Sequence, residues 1–77
     1  MESIPDHIFV DVKLGEPPAD QDLGFLVPVA IIDGGQEYPL KIISVRELRG
    51  GTVRCLVQAG EYEYYIYGRG GRWWMVA

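Results

Sequence analysis

Side chains capable of covalent or metal chemistry are scarce in this sequence. His7 is the only histidine and Cys55 the only cysteine, so the usual ligands of a tetrahedral zinc site are missing. Ser3 and Ser44 are candidate nucleophiles, but no spacing relates either serine to the histidine. We expect Cys55 to be a small buried hydrophobic residue and His7 to lie on the surface. The sequence therefore predicts no enzyme, no metal and no cofactor.

The charged residues are divided unevenly between the two halves of the chain. Residues 1–40 hold eight acidic residues and one basic residue, whereas residues 41–77 hold six basic residues and three acidic ones. The acidic residues match no calcium-loop spacing, so a solvated acidic surface is the expectation. One interpretation is that the two halves pack together and partly neutralise each other. The other is that the basic half exposes a face to an anionic partner.

Arginine and aromatic residues are concentrated towards the C-terminus. Both tryptophans and four of the five tyrosines follow residue 60, and all five arginines follow residue 45. A guanidinium group packs favourably on an aromatic ring, and tyrosine, tryptophan and arginine are enriched at binding hot spots. The candidate binding residues are Arg54, Tyr65, Tyr67, Arg69, Arg72 and Trp74.

Short β-strands must position these residues, because glycine-containing turns divide the chain at near-regular intervals. Glycines at 34–35, 50–51, 60 and 70–71 separate runs that are rich in Val, Ile, Tyr and Trp, which is typical of a meander. The predicted strands cover residues 7–14, 25–33, 37–48, 52–59, 61–68 and 72–77. An exposed, acidic, proline-containing loop, 15–24, follows the first strand and precedes the meander of residues 25–77. The fold class is thus all-β, with five to six short antiparallel strands in a single domain, 1–77.

The run 37–48 indicates how the sheet is shaped. Tyr38, Leu40 and Ile42 fall on one face of an extended chain, whereas Ile43 and Val45 fall on the other. A strand that is apolar on different faces in its two halves is usually bent or bulged, as at the corners of small barrels. Pro39 cannot donate to a ladder and should lie at an edge or at a strand's start. We expect a small SH3-like or OB-like barrel, with an open, curved sheet as the second possibility.

Pairing of the last three strands predicts which residues share a face. A turn at residues 59–60 would pair Val57 with Tyr62 and Cys55 with Tyr64, and opposed residues point to the same side. A loop of two or four glycine-rich residues before Arg72 gives the same faces. The predicted inner face, which has no charged residue, comprises Val53, Cys55, Val57, Tyr62, Tyr64, Ile66, Trp73 and Met75. The predicted outer face comprises Thr52, Arg54, Leu56, Gln58, Glu63, Tyr65, Tyr67, Arg72, Trp74 and Val76.

The outer face has three interpretations. With the four-residue loop, Arg54, Tyr65 and Trp74 would form one row across three strands. The N-terminal strand or the loop 15–24 could cover these rings as a second layer. Alternatively, the rings form a binding surface for a partner, or a surface through which two copies of the chain associate.

Length and composition limit where the protein acts. The chain has no run of about 18 apolar residues and no basic start followed by an apolar stretch, so neither a membrane span nor a signal peptide is predicted. A single cysteine forms no intrachain disulfide, which agrees with a reducing, cytoplasmic location.

The sequence alone does not establish a function. The leading hypothesis is a non-enzymatic protein-interaction or self-association module that uses the outer face of the last three strands, with a protein partner or a second copy as its target. The alternative is a single-stranded nucleic-acid-binding small barrel, in which arginines contact phosphate and aromatic rings stack on bases. The net charge of −4 disfavours nucleic acid.

Overall fold

The computed structural model describes residues 7–21 and 23–76, so Ser3 and Ala77 lie outside the described residues. Most of the described chain forms β-strands, with one turn of 3-10 helix at Arg49–Gly51. The strands are β1 (His7–Gly15), β2 (Val27–Asp33), β3 (Gln36–Pro39), β4 (Lys41–Glu47), β5 (Val53–Ala59), β6 (Tyr62–Arg69) and β7 (Arg72–Val76). Among these residues no helix has the length and apolar character needed to cross a membrane.

All seven strands form one antiparallel sheet in the order β3-β2-β1-β7-β6-β5-β4. The first strand joins two parts of the sheet, because residues 7–10 pair with β7 whereas residues 11–15 pair with β2. The two edge strands, β3 and β4, are separated in the chain by Leu40 alone, and β2 also contacts β4. A sheet whose opposite edges are joined by one residue has to curl, and this one forms a half-barrel. The predicted all-β meander is confirmed.

The strand count is seven rather than five to six, because the predicted strand 37–48 is divided in two. The chain leaves the edge beside β2 at Pro39 and joins the edge beside β5 at Lys41, and the N–H of Leu40 donates to the carbonyl of Val29 at 2.9 Å. The pairing of β4 is also irregular between Ile42 and Ser44. The bend expected from the change of apolar face is therefore present. Pro39 lies on an edge strand, where its missing N–H interrupts no ladder.

The core lies on the inner face of β5, β6 and β7. Cys55, Val57 and Ile66 are completely buried. The partly buried residues around them are Ile31, Leu40, Ile42, Val45, Val53, Tyr64, Trp73 and Met75. The predicted inner face is therefore confirmed, although its end member Tyr62 is 75% exposed. Tyr62 directly follows the turn after β5, at the end of the strand pair.

The pairing of β5 with β6 differs from the prediction by two residues. Val57 opposes Tyr64 and Cys55 opposes Ile66, because the turn consists of Gly60 and Glu61. A two-residue turn with a positive φ at its first position requires glycine there, and Gly60 has a φ of 62°. That requirement excludes the predicted turn at residues 59–60. Since a shift of two residues preserves the alternation of side chains, every face assignment is retained.

Gly68 fixes the position of one tryptophan on the inner face. It opposes Trp73 directly across β6 and β7. A Cβ atom at position 68 would collide with the six-membered ring of the Trp73 indole. The indole therefore packs closely against the glycine backbone, at a place in the strand where no side chain fits.

Candidate interaction surface

The outer faces of five neighbouring strands carry a continuous group of arginine and aromatic side chains. One row crosses all five strands, because the register pairs Arg46 with Arg54, Arg54 with Tyr67, Tyr67 with Trp74, and Trp74 with Phe9. Residues beside this row belong to the same face. We call the group the arginine–aromatic face; it comprises His7, Phe9, Arg46, Arg54, Tyr65, Tyr67, Arg69, Arg72 and Trp74.

Trp74 lies at the centre of a stack of rings. The Tyr67 ring on β6 is nearly parallel to the indole, at 13° and 6.1 Å between centroids. The His7 ring on β1 stacks on it at 25° and 5.3 Å. Phe9 meets the same indole edge-on, at 64° and 6.3 Å. Its neighbours come from the strands on either side of β7, so aromatic rings flank the indole on both sides.

Two of the arginines rest on aromatic rings. The Cζ of Arg54 lies 4.7 Å from the centroid of the Tyr65 ring, and the Cζ of Arg72 lies 5.8 Å from that of Phe9. Each contact of this kind contributes about 0.5–1 kcal/mol at an exposed site. A guanidinium held against a ring keeps the N–H groups at its rim available for hydrogen bonds. The rings thus orient these two charged groups.

Arginines also oppose each other across neighbouring strands. Arg46 is paired with Arg54, and Arg69 is paired with Arg72. Like charges in directly opposed positions destabilise a sheet. Among the described residues the ion pair is that of Lys13 on β1 and Glu37 on β3, at 3.2 Å, and it involves none of these arginines.

The six residues predicted from the sequence all lie on strands that form this face, but their arrangement differs from the prediction. The loop between β6 and β7 has two residues, so Tyr67 rather than Tyr65 stands in the row between Arg54 and Trp74. Tyr65 lies two residues before Tyr67 on the same strand, and the Arg54 guanidinium packs on its ring. Arg69 follows at the end of β6, with its guanidinium about 4 Å from the place of a Cβ atom on Gly50.

Sequence reasoning missed three members of the face, Arg46, His7 and Phe9. Their alternation along β1 and β4 was visible in the sequence, but the pairing of β1 with β7 was not. His7 is exposed as expected, yet it also stacks on Trp74. The relevant signal was an aromatic residue and a histidine two positions apart in a predicted strand, which places both on one face.

The interpretation that the first strand covers these rings is wrong for the described residues. β1 lies edge to edge with β7 and extends the face instead of covering it. Gln21 of the loop donates to the carbonyl of Ile43 in the edge strand β4, at 3.4 Å. Tyr65 remains 44% exposed and Phe9 58% exposed.

The single cysteine of the chain, Cys55, is buried. Burial raises the pKa of the Cys55 thiol from 9.0 to about 11, so the thiol stays protonated and unreactive at neutral pH. Within the described ranges, no three His, Cys, Asp or Glu side chains are grouped so that they could hold a metal ion. The arginine–aromatic face is the strongest candidate for a functional site.

In comparisons with protein families, curated proteins and solved structures, nothing matches this chain.

Proposed function

We propose that this protein is a non-enzymatic interaction module that binds another protein through the arginine–aromatic face. The observation that carries the proposal is a stack of partly exposed aromatic rings beside arginines that have no ion-pair partner among the described residues. Tyrosine, tryptophan and arginine are the side chains that dominate binding energy at protein interfaces.

The rigidity of the face supports this proposal. Its side chains stand on paired strands, and Trp74 is held on both sides by Tyr67 and His7. Rings with two torsion angles lose little conformational entropy when a partner covers them, and rings that are already stacked lose less. Such a surface is organised before the partner arrives.

Self-association through the same face is less favourable. In a symmetric dimer the same patch of both copies meets across a two-fold axis. Four arginines of one copy would then approach four of the other, and none of them has an ion-pair partner among the described residues. This repulsion favours a different protein as partner. We place that encounter in the cytoplasm, a location that the unpaired, buried Cys55 supports.

Single-stranded nucleic acid is the second candidate, and four arginines on one face favour it. Binders of this kind stack bases on the faces of aromatic rings. Here neighbouring rings already flank Trp74 on both sides, and the net charge of the chain is −4. Both observations favour a protein partner.

A site-specific photo-crosslinker tests the proposal. A photoreactive phenylalanine analogue replaces Tyr65 in one variant and Tyr38 of β3 in a matched control, since these tyrosines are 44% and 48% exposed. We expect a protein adduct in cells from position 65 that is absent from position 38 and is lost when Arg54→Gln is added. Equal labelling at both positions, or an adduct with nucleic acid or with a second copy of the chain, would contradict the proposal.

A further inference from the structure

The two opposed arginine pairs differ in what holds their members. Arg54 and Arg72 are stacked on rings, whereas their cross-strand partners Arg46 and Arg69 make no ring contact and no ion pair within the described residues. Asp11 and Glu63 occupy strands of the same face, but neither lies within ion-pair distance of an arginine. Each pair therefore combines a ring-stacked arginine with a second arginine directly opposite it in the strand register, and an anion placed between the two would relieve their repulsion.

The chemistry of the face fits carboxylates. Arginine binds carboxylate with two parallel hydrogen bonds, a geometry that its planar fork provides. The edge of an aromatic ring is electropositive, so the edges of the stacked rings also favour negative charge. Both kinds of group on this surface therefore attract negative charge.

The spacing of the pairs fits an extended chain. Along the strands, Arg69 lies two residues beyond Tyr67, the residue that opposes Arg54. Across the strands, the Arg46–Arg54 pair and the Arg69–Arg72 pair are two strand spacings apart. Strand geometry then separates their centres by roughly 12 Å, the distance spanned by about four residues of an extended peptide.

We propose that the partner presents an acidic segment, in which Asp or Glu side chains about four residues apart bridge the Arg46–Arg54 and Arg69–Arg72 pairs. This inference rests on the proposed function and names the chemistry of its partner. An acidic peptide is favoured over nucleic acid because it needs no free ring faces. It also carries fewer charges towards a protein whose own net charge is −4.

Fluorescence anisotropy with a labelled peptide tests the inference. The probe is an extended Ser-rich peptide with Glu at every fourth position, and a peptide with Gln at those positions is its control. The test variant combines Arg46→Gln with Arg69→Gln, which breaks both pairs without removing a ring-stacked arginine. The matched variant, Lys41→Gln with Arg49→Gln, removes the same charge from residues outside the pairs.

We expect the Glu peptide to bind and the Gln peptide not to bind. The test variant should lose about tenfold or more in affinity, the effect of losing a hydrogen bond to a charged group, and the matched variant clearly less. A third variant, Arg46→Lys with Arg69→Lys, keeps the charge and should recover only part of the affinity, because lysine lacks the planar fork. Unfolding curves of all variants confirm that each one is folded.

Three results would overturn the inference. Equal losses of affinity in the test and matched variants would assign binding to net charge. Tighter binding of an oligothymidylate of equal charge than of the peptide would favour nucleic acid. Oligomers in sedimentation that the test variant abolishes would assign the face to a second copy of the chain. If no peptide binds while the crosslink from position 65 persists, the acidic segment is wrong and the interaction module stands.

Discussion

Trp73 and Trp74 are adjacent in the chain, yet they belong to two regions with opposite physical characters. Trp73 lies on the inner face, where it packs against the buried core and over the backbone of Gly68. Trp74 lies on the outer face, between the rings of Tyr67 and His7. The same strands thus carry a fully apolar layer on one side and arginines with stacked rings on the other.

This difference separates stability from binding. Three inner residues, Cys55, Val57 and Ile66, are completely buried and form the centre of the core. The outer face adds less burial, since Tyr65 and Phe9 are 44% and 58% exposed, and it places arginine opposite arginine. The outer face is therefore expected to contribute less to the free energy of unfolding than the inner face. The predictions below test that separation.

The largest effect is expected from truncating neighbours on opposite faces. Ile66→Ala removes a completely buried side chain and should lower the free energy of unfolding by about 2–5 kcal/mol. Tyr65→Ala removes a half-exposed ring and its contact with Arg54, so about 1 kcal/mol is expected. Urea unfolding followed by tryptophan fluorescence measures both. Equal losses would mean that the outer face is part of the core energetically.

The second effect is a loss of stability at alkaline pH that the inner face alone produces. Burial raises the pKa of the Cys55 thiol from 9.0 to about 11, so the folded protein keeps a proton that the unfolded chain releases. This contribution is fully present below pH 9, and it is lost as the pH rises through about 11. The difference corresponds to about 3 kcal/mol at full deprotonation.

Unfolding free energies measured from pH 8 to pH 11 test this dependence. Cys55→Ala is the control, because it removes the thiol and should flatten this part of the profile. Burial also raises the pKa of Tyr64, and that contribution has the same sign and persists in both proteins. Identical pH profiles for wild type and Cys55→Ala would show that the thiol is already accessible to solvent in the folded state.

The third effect concerns the close approach of Trp73 to Gly68. Gly68→Ala places a methyl group where the indole lies, and overpacking of this kind costs about 1–3 kcal/mol. Trp73→Leu removes the collision, so adding Gly68→Ala to Trp73→Leu should cost much less than adding it to wild type. A double-mutant cycle of unfolding free energies measures this coupling. Additive losses would indicate that the glycine is needed for another reason.

Much of this architecture could be predicted from the sequence, because alternation along a strand is insensitive to register errors of two residues. The inner face was predicted from a wrong turn, and the assignment of Cys55 and Ile66 to the core still holds. The turn itself could have been placed correctly, since a two-residue turn with glycine at its first position begins at Gly60.

The position of β1 could not be obtained in the same way. Its pairing with β7 joins residues at opposite ends of the chain, and no turn between them fixes the register. For that reason His7 and Phe9 were absent from the predicted face. The division of the strand 37–48 was only partly predictable, because the change of apolar face indicated a bend, but not that its two halves would lie at opposite edges of the sheet.

The smallest effect distinguishes a surface that serves binding from one that serves the fold. Arg46 opposes Arg54 and makes no ring contact or ion pair among the described residues, so Arg46→Gln removes a repulsion and little else. We expect the free energy of unfolding to rise by about 0.2–1 kcal/mol at low salt. The gain should disappear at high salt, because salt screens exposed charges.

Lys41→Gln, which removes an equal charge opposite Gln58, should give no such gain. A salt-independent loss of stability in Arg46→Gln would mean that the arginine stabilises the sheet. A gain would mean that the residue is retained at the expense of stability, which a binding role for the arginine–aromatic face explains.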